Sequence, residues 1–171
     1  AEGEDLWLGG ILVPSDFGAV GHSDADVLLH VICDALFGAR AMGDIGAHFP
    51  DTDPAFKGID SKLLLRETVS KVCTEGWGVV NVDATICLEK PKLRPHIDDM
   101  RRCIAGLLNI TEDRVGVKAT TTERLGLGCF QVFATSPANA PIDIEEHDPG
   151  KDEVTSVAPT AINNEMGQNI F

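Results

Sequence analysis

The chain has 171 residues, 43% of them hydrophobic and 24% charged, a balance that suits one globular domain with a core of its own. Its 27 acids against 14 Lys and Arg leave a formal net charge of −13, which excludes a general binder of nucleic-acid backbones, because counterion release needs clustered cations. No apolar run approaches the roughly 20 residues of a membrane-spanning helix, so neither nucleic acid nor a membrane span is expected.

From the N-terminus, Leu6 to Val13 reads as a short strand stopped by Pro14. Ser23 and Asp26 stand three apart ahead of an apolar run, a capping-box-like start for a helix reaching about Gly38. The stretch GDIGAHFPDTDPAFKG is polar and rich in Gly, Pro and Asp, hence a loop. Leu65, Val69 and Val72 share one helical face that ends at Gly76. Val80, Val82, Ala84, Ile86 and Leu88 alternate as a strand does. A proline-bounded loop from Lys90 to Pro95 leads into a second helical stripe, Ile97, Met100, Ile104, Leu107 and Leu108, closed by Asn109. Val115 to Ala119 and Phe130 to Ala134 are the last two expected strands. Strands alternating with helices predict an α/β (α+β) layer fold, a single mixed sheet packed against helices.

Charge divides the chain. Residues 1–135, the expected domain, carry 20 acids and 13 bases, whereas 136–171 carry seven acids, one base and four prolines without any apolar period. That C-terminal stretch reads as an acidic extended tail suited to lying on another protein's surface. The cysteines, Cys33, Cys73, Cys87, Cys103 and Cys129, are odd in number and form no Cys-x-x-Cys pair. They are expected to be small buried thiols in a reducing compartment. The chain starts at Ala1, so a removed targeting segment and a late start are both open.

Three polar clusters could carry chemistry. In GHSDADVLLH, Asp26, His30 and Asp34 share a helix face at i, i+4 and i+8. A His and an Asp one turn apart can both reach a divalent metal, although a single helical His more often marks a solvated polar face. In the loop from Gly43 to Gly58, Asp44, Asp51 and Asp53 could accept polyol hydroxyls, but Asp in such loops usually caps turns. KATTTE, from Lys118 to Glu123, ends a strand in consecutive hydroxyls and an acid. That suits phosphate with Mg²⁺, and equally a strand end rich in Thr.

Together GHSDADVLLH, GDIGAHFPDTDPAFKG, PKLRPH and VKATTTERLG resemble, in order and spacing from about Leu8 to Gly126, the 2-C-methyl-D-erythritol 2,4-cyclodiphosphate synthase family of the non-mevalonate isoprenoid pathway. The resemblance implies a homotrimer with its sites between neighbouring subunits. It implies an intramolecular phosphoryl transfer on a cytidine diphosphate-linked methylerythritol 2-phosphate, releasing CMP. Carried over by position, His30 is a zinc ligand, and His22 and Ser23 meet the substrate phosphates. Asp44 and Gly46 surround the methylerythritol, and Asp51 takes its hydroxyls. Lys92 and Leu93 close on cytidine and its phosphates, and Ala119, Thr120 and Thr121 form the nucleotide wall. Glu123 is the ligand of Mg²⁺ or Mn²⁺, and Thr121 and Glu123 carry the catalytic role. The implied setting is a plastid stroma or bacterial cytoplasm, with the plastid favoured.

Two stretches depart from the family pattern. The family carries an Asp-x-His zinc pair about ten residues before the glycines matched by Gly9 and Gly10, a position just upstream of Ala1, and AEGEDLW contains no His, so the pair either precedes Ala1 or is lost. Leu127, Gly128 and Cys129 run directly into FQVFAT, without the family's Gly- and Arg-containing loop. The alternative expectation is therefore a non-catalytic relative, a structural or interaction subunit of a larger assembly.

Overall fold

The computed structural model describes residues 1–21, 23–121 and 129–134. The opening apolar stretch is two strands, not one: β1 (Leu6–Leu8) and β2 (Ile11–Val13) pair antiparallel, Leu8 opposite Ile11. Gly9 and Gly10 form the two-residue turn, with φ of +65° and +78°. Such a turn matches the twist of its strands only if both central residues take positive φ, and glycine does so without a steric cost.

Four helices follow in the order α1 (Val27–Ala39), α2 (Ile45–His48), α3 (Ser61–Thr74) and α4 (Ile97–Leu108). The α1 N-cap is Asp26, whose carboxylate accepts from Leu29 N; Ser23 instead accepts from Ala25 N, so the expected capping box is not formed. The four-residue α2 interrupts what composition reads as loop, with Asp44 as its N-cap. Asp60 caps α3, and α4 closes on Asn109 in the left-handed conformation, where a short polar side chain is tolerated.

A second sheet, in the order β4-β3-β5, is built from β3 (Val82–Cys87), β4 (Val115–Thr120) and β5 (Cys129–Ala134). β3 runs parallel to β4, Val82 opposite Val115, and antiparallel to β5, Val82 opposite Ala134. The parallel pair needs a crossover, which α4 supplies. On β3, Val82, Ala84 and Ile86 are buried while Asp83, Thr85 and Cys87 are only half so, the period-two signature of a sheet covered on one face. α1 contributes Leu28, Leu29, Ile32 and Phe37 to the core, α3 Leu65 and Val72, and α4 Met100 and Ile104. α1 lies against both α3 and β5, so the loop ahead of α1 and the start of α3 are brought together at one end of the core.

The thiols differ from expectation. Cys33 is buried, but Cys73 is exposed and Cys87 and Cys103 are half-buried; these four are thiols outside any disulfide. Cys73 faces water because it falls opposite the Leu65 and Val72 stripe of α3. Among the described residues no helix is long and apolar enough to cross a membrane. The tail beginning at 136 lies outside the described residues.

Candidate active site

Asp26 organises the first half of the site. It is fully buried, and its carboxylate accepts from Gly9 N at 2.9 Å, Gly10 N at 2.6 Å and Leu29 N at 3.1 Å. One side chain thus caps α1 and pins the β1–β2 turn to it. Burial pushes the Asp26 carboxyl up to about 6, against the pull of those three N–H groups. Asp34, further along α1, accepts from Ile45 N at 2.7 Å and so fixes α2. Asp26 and Asp34 thus do not offer that helix face as a pair of open carboxylates beside His30. Both carboxylates are turned to backbone N–H groups of two other segments.

His30, one turn into α1, is buried, and its Nε2 lies 2.9 Å from Ser61 Oγ and 3.3 Å from Ser23 Oγ. Desolvation holds its imidazole below the usual histidine range, which favours the neutral ring. The loop feeding α1 is tight: Ala25 takes φ +57°, its N–H donates to Ser23 Oγ at 3.0 Å, and Asp26 N donates to Asp24 Oδ1 at 3.3 Å. These local bonds carry the conformation that places Ser23 at the mouth of a cleft.

That first cleft is lined by Ser23, His30, Gly46 and Asp51 against an apolar wall that includes Val27, Ile45, Phe49, Phe56 and Leu64. Phe49 and Phe56 meet edge to face at 5.5 Å, and His48 stacks on Phe37 at 3.9 Å while its Nε2 bonds to Met42 O. The loop is thus stiffened from within. Among the described residues no Lys or Arg lines this cleft. An apolar wall with a hydroxyl and a carboxylate suits a small polyol. Asp44 is not among the lining residues; its carboxylate caps α2 by accepting from Ala47 N at 2.8 Å.

A second cleft lies at the C-terminal ends of β3 and β4. Lys92, Leu93, Ala119, Thr120 and Thr121 line it, joined by Arg94 and Lys118. Leu93 is buried and anchors the loop, while Lys92 and Arg94 are exposed. Among the described residues three cations line this cleft and none lines the first, so the positive charge favours an anion at the second. Lys118 Nζ also pairs with Asp83 Oδ2. Arg94 and Lys118 lie inside PKLRPH and KATTTE, but the resemblance gives neither a role. The signal was present in the alternation of Lys92 and Arg94 through PKLRPH and in the Lys that opens KATTTE.

Among the described residues the two clefts share no lining residue. Of the expected site, the first gathers Ser23, His30, Gly46 and Asp51, and the second gathers Lys92, Leu93, Ala119, Thr120 and Thr121. His22 and Glu123 lie outside the described residues. For zinc, the donor set present does not suffice. Catalytic zinc takes three protein ligands, and among the described residues no three His, Cys, Asp or Glu side chains gather. His30 is one imidazole, with its Nε2 against two serine hydroxyls.

Helices backing a small mixed sheet, with two clefts lined largely by loops and helix ends, define an α/β layer fold whose function has to be read from its sites. The model of the YgbB family matches residues 1–140. A 2-C-methyl-D-erythritol 2,4-cyclodiphosphate synthase of Azotobacter vinelandii is 59% identical over 126 residues, which is 74% of this chain and 80% of that protein. The synthase of Bacteroides fragilis is 55% identical over 73% of this chain and 79% of its own length. A solved 2C-methyl-D-erythritol-2,4-cyclodiphosphate synthase in its CDP-bound form superposes with a TM-score of 0.76 at 35% identity, covering 80% of this chain and 93% of that one. The Plasmodium falciparum IspF–CDP complex superposes at 0.64 and 29% identity, covering 77% and 83%. The chain belongs to the YgbB family, whose curated relatives here are cyclodiphosphate synthases.

Proposed function

We propose that the chain converts 4-diphosphocytidyl-methylerythritol 2-phosphate into the cyclic 2,4-diphosphate with release of CMP. The supporting observation is the pairing of two chemically distinct clefts, one polyol-like and one cationic, in a chain 59% identical to named synthases. The non-catalytic alternative finds no support in these relatives. In the reaction an oxygen of the 2-phosphate attacks the β-phosphorus, and the bond from that phosphorus to the α-phosphate oxygen breaks. The electron pair leaves on CMP, and no water enters. This is a cyclising phosphorus–oxygen lyase reaction.

Little covalent chemistry is asked of the protein; it must align two anions and offset their charge. The ends of β3 and β4 and the Lys92–Leu93 loop would take the cytidine diphosphate, with Lys92 and Arg94 beside the phosphates and Thr121 offering its hydroxyl. Asp51 and the apolar wall of the first cleft would hold the methylerythritol, with Ser23 at its phosphate. Because the described residues lining the two clefts do not overlap, a homotrimer in which the first cleft of one subunit faces the second cleft of the next would bring both onto one substrate. Magnesium or manganese at Glu123 is part of the proposal and would supply charge neutralisation between phosphates. No step is derived through zinc. Thiols outside any disulfide at Cys33, Cys73, Cys87 and Cys103 suit a reducing compartment, such as a plastid stroma or bacterial cytoplasm.

Phosphorus NMR of the purified chain with the diphosphocytidyl substrate tests this directly. Equal amounts of CMP and a cyclic diphosphate are expected. Intact substrate in the presence of a folded oligomer and divalent metal would overturn the reading.

A further inference from the structure

The three cations that line the second cleft are not equivalent. Among the described residues Lys92 and Arg94 make no ion pair, whereas Lys118 Nζ is paired with Asp83 Oδ2. Asp83 itself does not line the cleft. The sheet explains how the two meet. β3 and β4 run parallel, with Asp83 opposite Gly116 and Thr85 opposite Lys118. Residues opposite one another share a face, as do residues two apart on one strand. Asp83, Gly116 and Lys118 therefore lie on the face opposite Val82, Ala84, Val115 and Val117, which are buried in the core. Asp83 is half-buried there and Lys118 is exposed.

The pair is diagonal. To reach Asp83, the Lys118 side chain leans back along β4 past Gly116, away from Ala119, Thr120 and Thr121 at the strand end that lines the cleft. Position 116 decides whether this is possible. A Cβ there would lie 2.5 Å from Asp83 Oδ1, far inside the contact distance of two heavy atoms. The carboxylate thus fills the space that a side chain at 116 would take. A lysine ammonium on its flexible four-carbon stem can swing between two anions, and an ion pair this exposed is weak enough to be exchanged.

We propose that Asp83, seated in the notch left by Gly116, is a resident counter-ion that competes with the ligand's phosphates for Lys118 and so limits the hold of the second cleft on a nucleoside diphosphate. Asp83 is a positioning residue in this role, because it acts on the ligand only through Lys118. The diphosphate as ligand rests on the proposed function; the competition requires only an anion in the cleft.

Titration calorimetry of the full chain with CDP and with cytidine tests this. Asp83→Asn keeps the shape of the side chain and removes its charge, whereas Gly116→Ala keeps the charge and fills the notch. Both are expected to bind CDP about threefold more tightly than the wild type, the scale of an exposed ion pair, with cytidine affinity unchanged. Damage to the fold would weaken binding, so a gain separates this role from a merely structural one. The decisive comparison is Lys118→Met against the double variant Asp83→Asn, Lys118→Met. With no ammonium to release, CDP affinity should be equal in the two. A gain that survives without Lys118 is a general effect of the lost charge and overturns the competition. An unchanged or weaker CDP affinity in folded Asp83→Asn overturns it as well, and the same result in folded Gly116→Ala overturns the notch. The expected pattern in a chain that releases no CMP from the diphosphocytidyl substrate overturns the functional reading and leaves the competition standing. CMP release with no gain in either variant does the reverse, and a folded chain that binds no CDP overturns both.

Discussion

At Asp26 a single carboxylate satisfies three N–H groups, two from the β1–β2 turn 16 and 17 residues away and one from its own helix. Asp26→Ala would leave all three donors without that acceptor. A lost cap costs about 1 kcal/mol, and each stranded buried donor about 1–3 kcal/mol. A destabilisation of roughly 3–5 kcal/mol is expected in chemical denaturation, a large part of a typical domain's stability. The same carboxyl has a definite pH signature. Its folded value, about 6, lies above the ordinary 3.8 because burial disfavours the charge. The folded state thus binds the extra proton between those values, so this group's contribution is complete below pH 3.8 and lost as pH rises through about 6. The loss is about 3 kcal/mol at most, at 1.4 kcal/mol per unit. Unfolding free energies of wild type and Asp26→Asn, compared from pH 4 to 7, should show the wild type losing ground to the variant as pH rises. A constant difference would refute the assignment.

The β1–β2 hairpin shows how one element depends on another's side chain. A Cβ on Gly10 would lie 2.4 Å from Cys103 Sγ on α4, and the residue's φ of +78° already disfavours any side chain. Gly10→Ala should cost about 1–2 kcal/mol for the backbone and more for the contact. In a double-mutant cycle with Cys103→Ala, the steric part should be recovered and the backbone part should remain. Strict additivity of the two substitutions would mean that the hairpin does not pack on α4 at this point. Neither effect touches the clefts, so CDP binding is expected to survive in both variants.

Across the whole molecule, the separate linings of the two clefts make assembly part of the proposed activity. Sedimentation of the purified chain should show a trimer, and a monomer that still released CMP would contradict the shared-site arrangement. Charge offers an independent check. Lys92 is exposed on the second cleft, so Lys92→Ala should weaken CDP by about 1 kcal/mol, about fivefold, in titration calorimetry. Cytidine, which has no phosphate, should lose little. Equal losses for both would place Lys92 on the nucleoside instead. Glu123→Gln should reduce the dependence of CDP affinity on Mg²⁺, since it removes an anionic oxygen while keeping size.

Much of this was legible residue by residue. The stripe from Ile97 to Leu108 and the alternation through Val82, Ala84 and Ile86 announced α4 and β3 within a residue or two, because burial on one face leaves a period in the chain. The motifs around Ser23, Asp51, Lys92 and Thr120 drew attention to residues that the structure places along the two clefts, while the arrangement of those clefts was not in the sequence. The tertiary structure alone turned the Asp26 and Asp34 carboxylates to distant backbone N–H groups, split Leu6 to Val13 at its glycines, assigned Asp44 to a cap, and joined Asp83 to Lys118 across Gly116. The reason is distance along the chain. Asp26 meets Gly9 across 17 residues and Asp83 meets Lys118 across 35, and periodicity reports which face is buried but not which distant N–H or charge waits there.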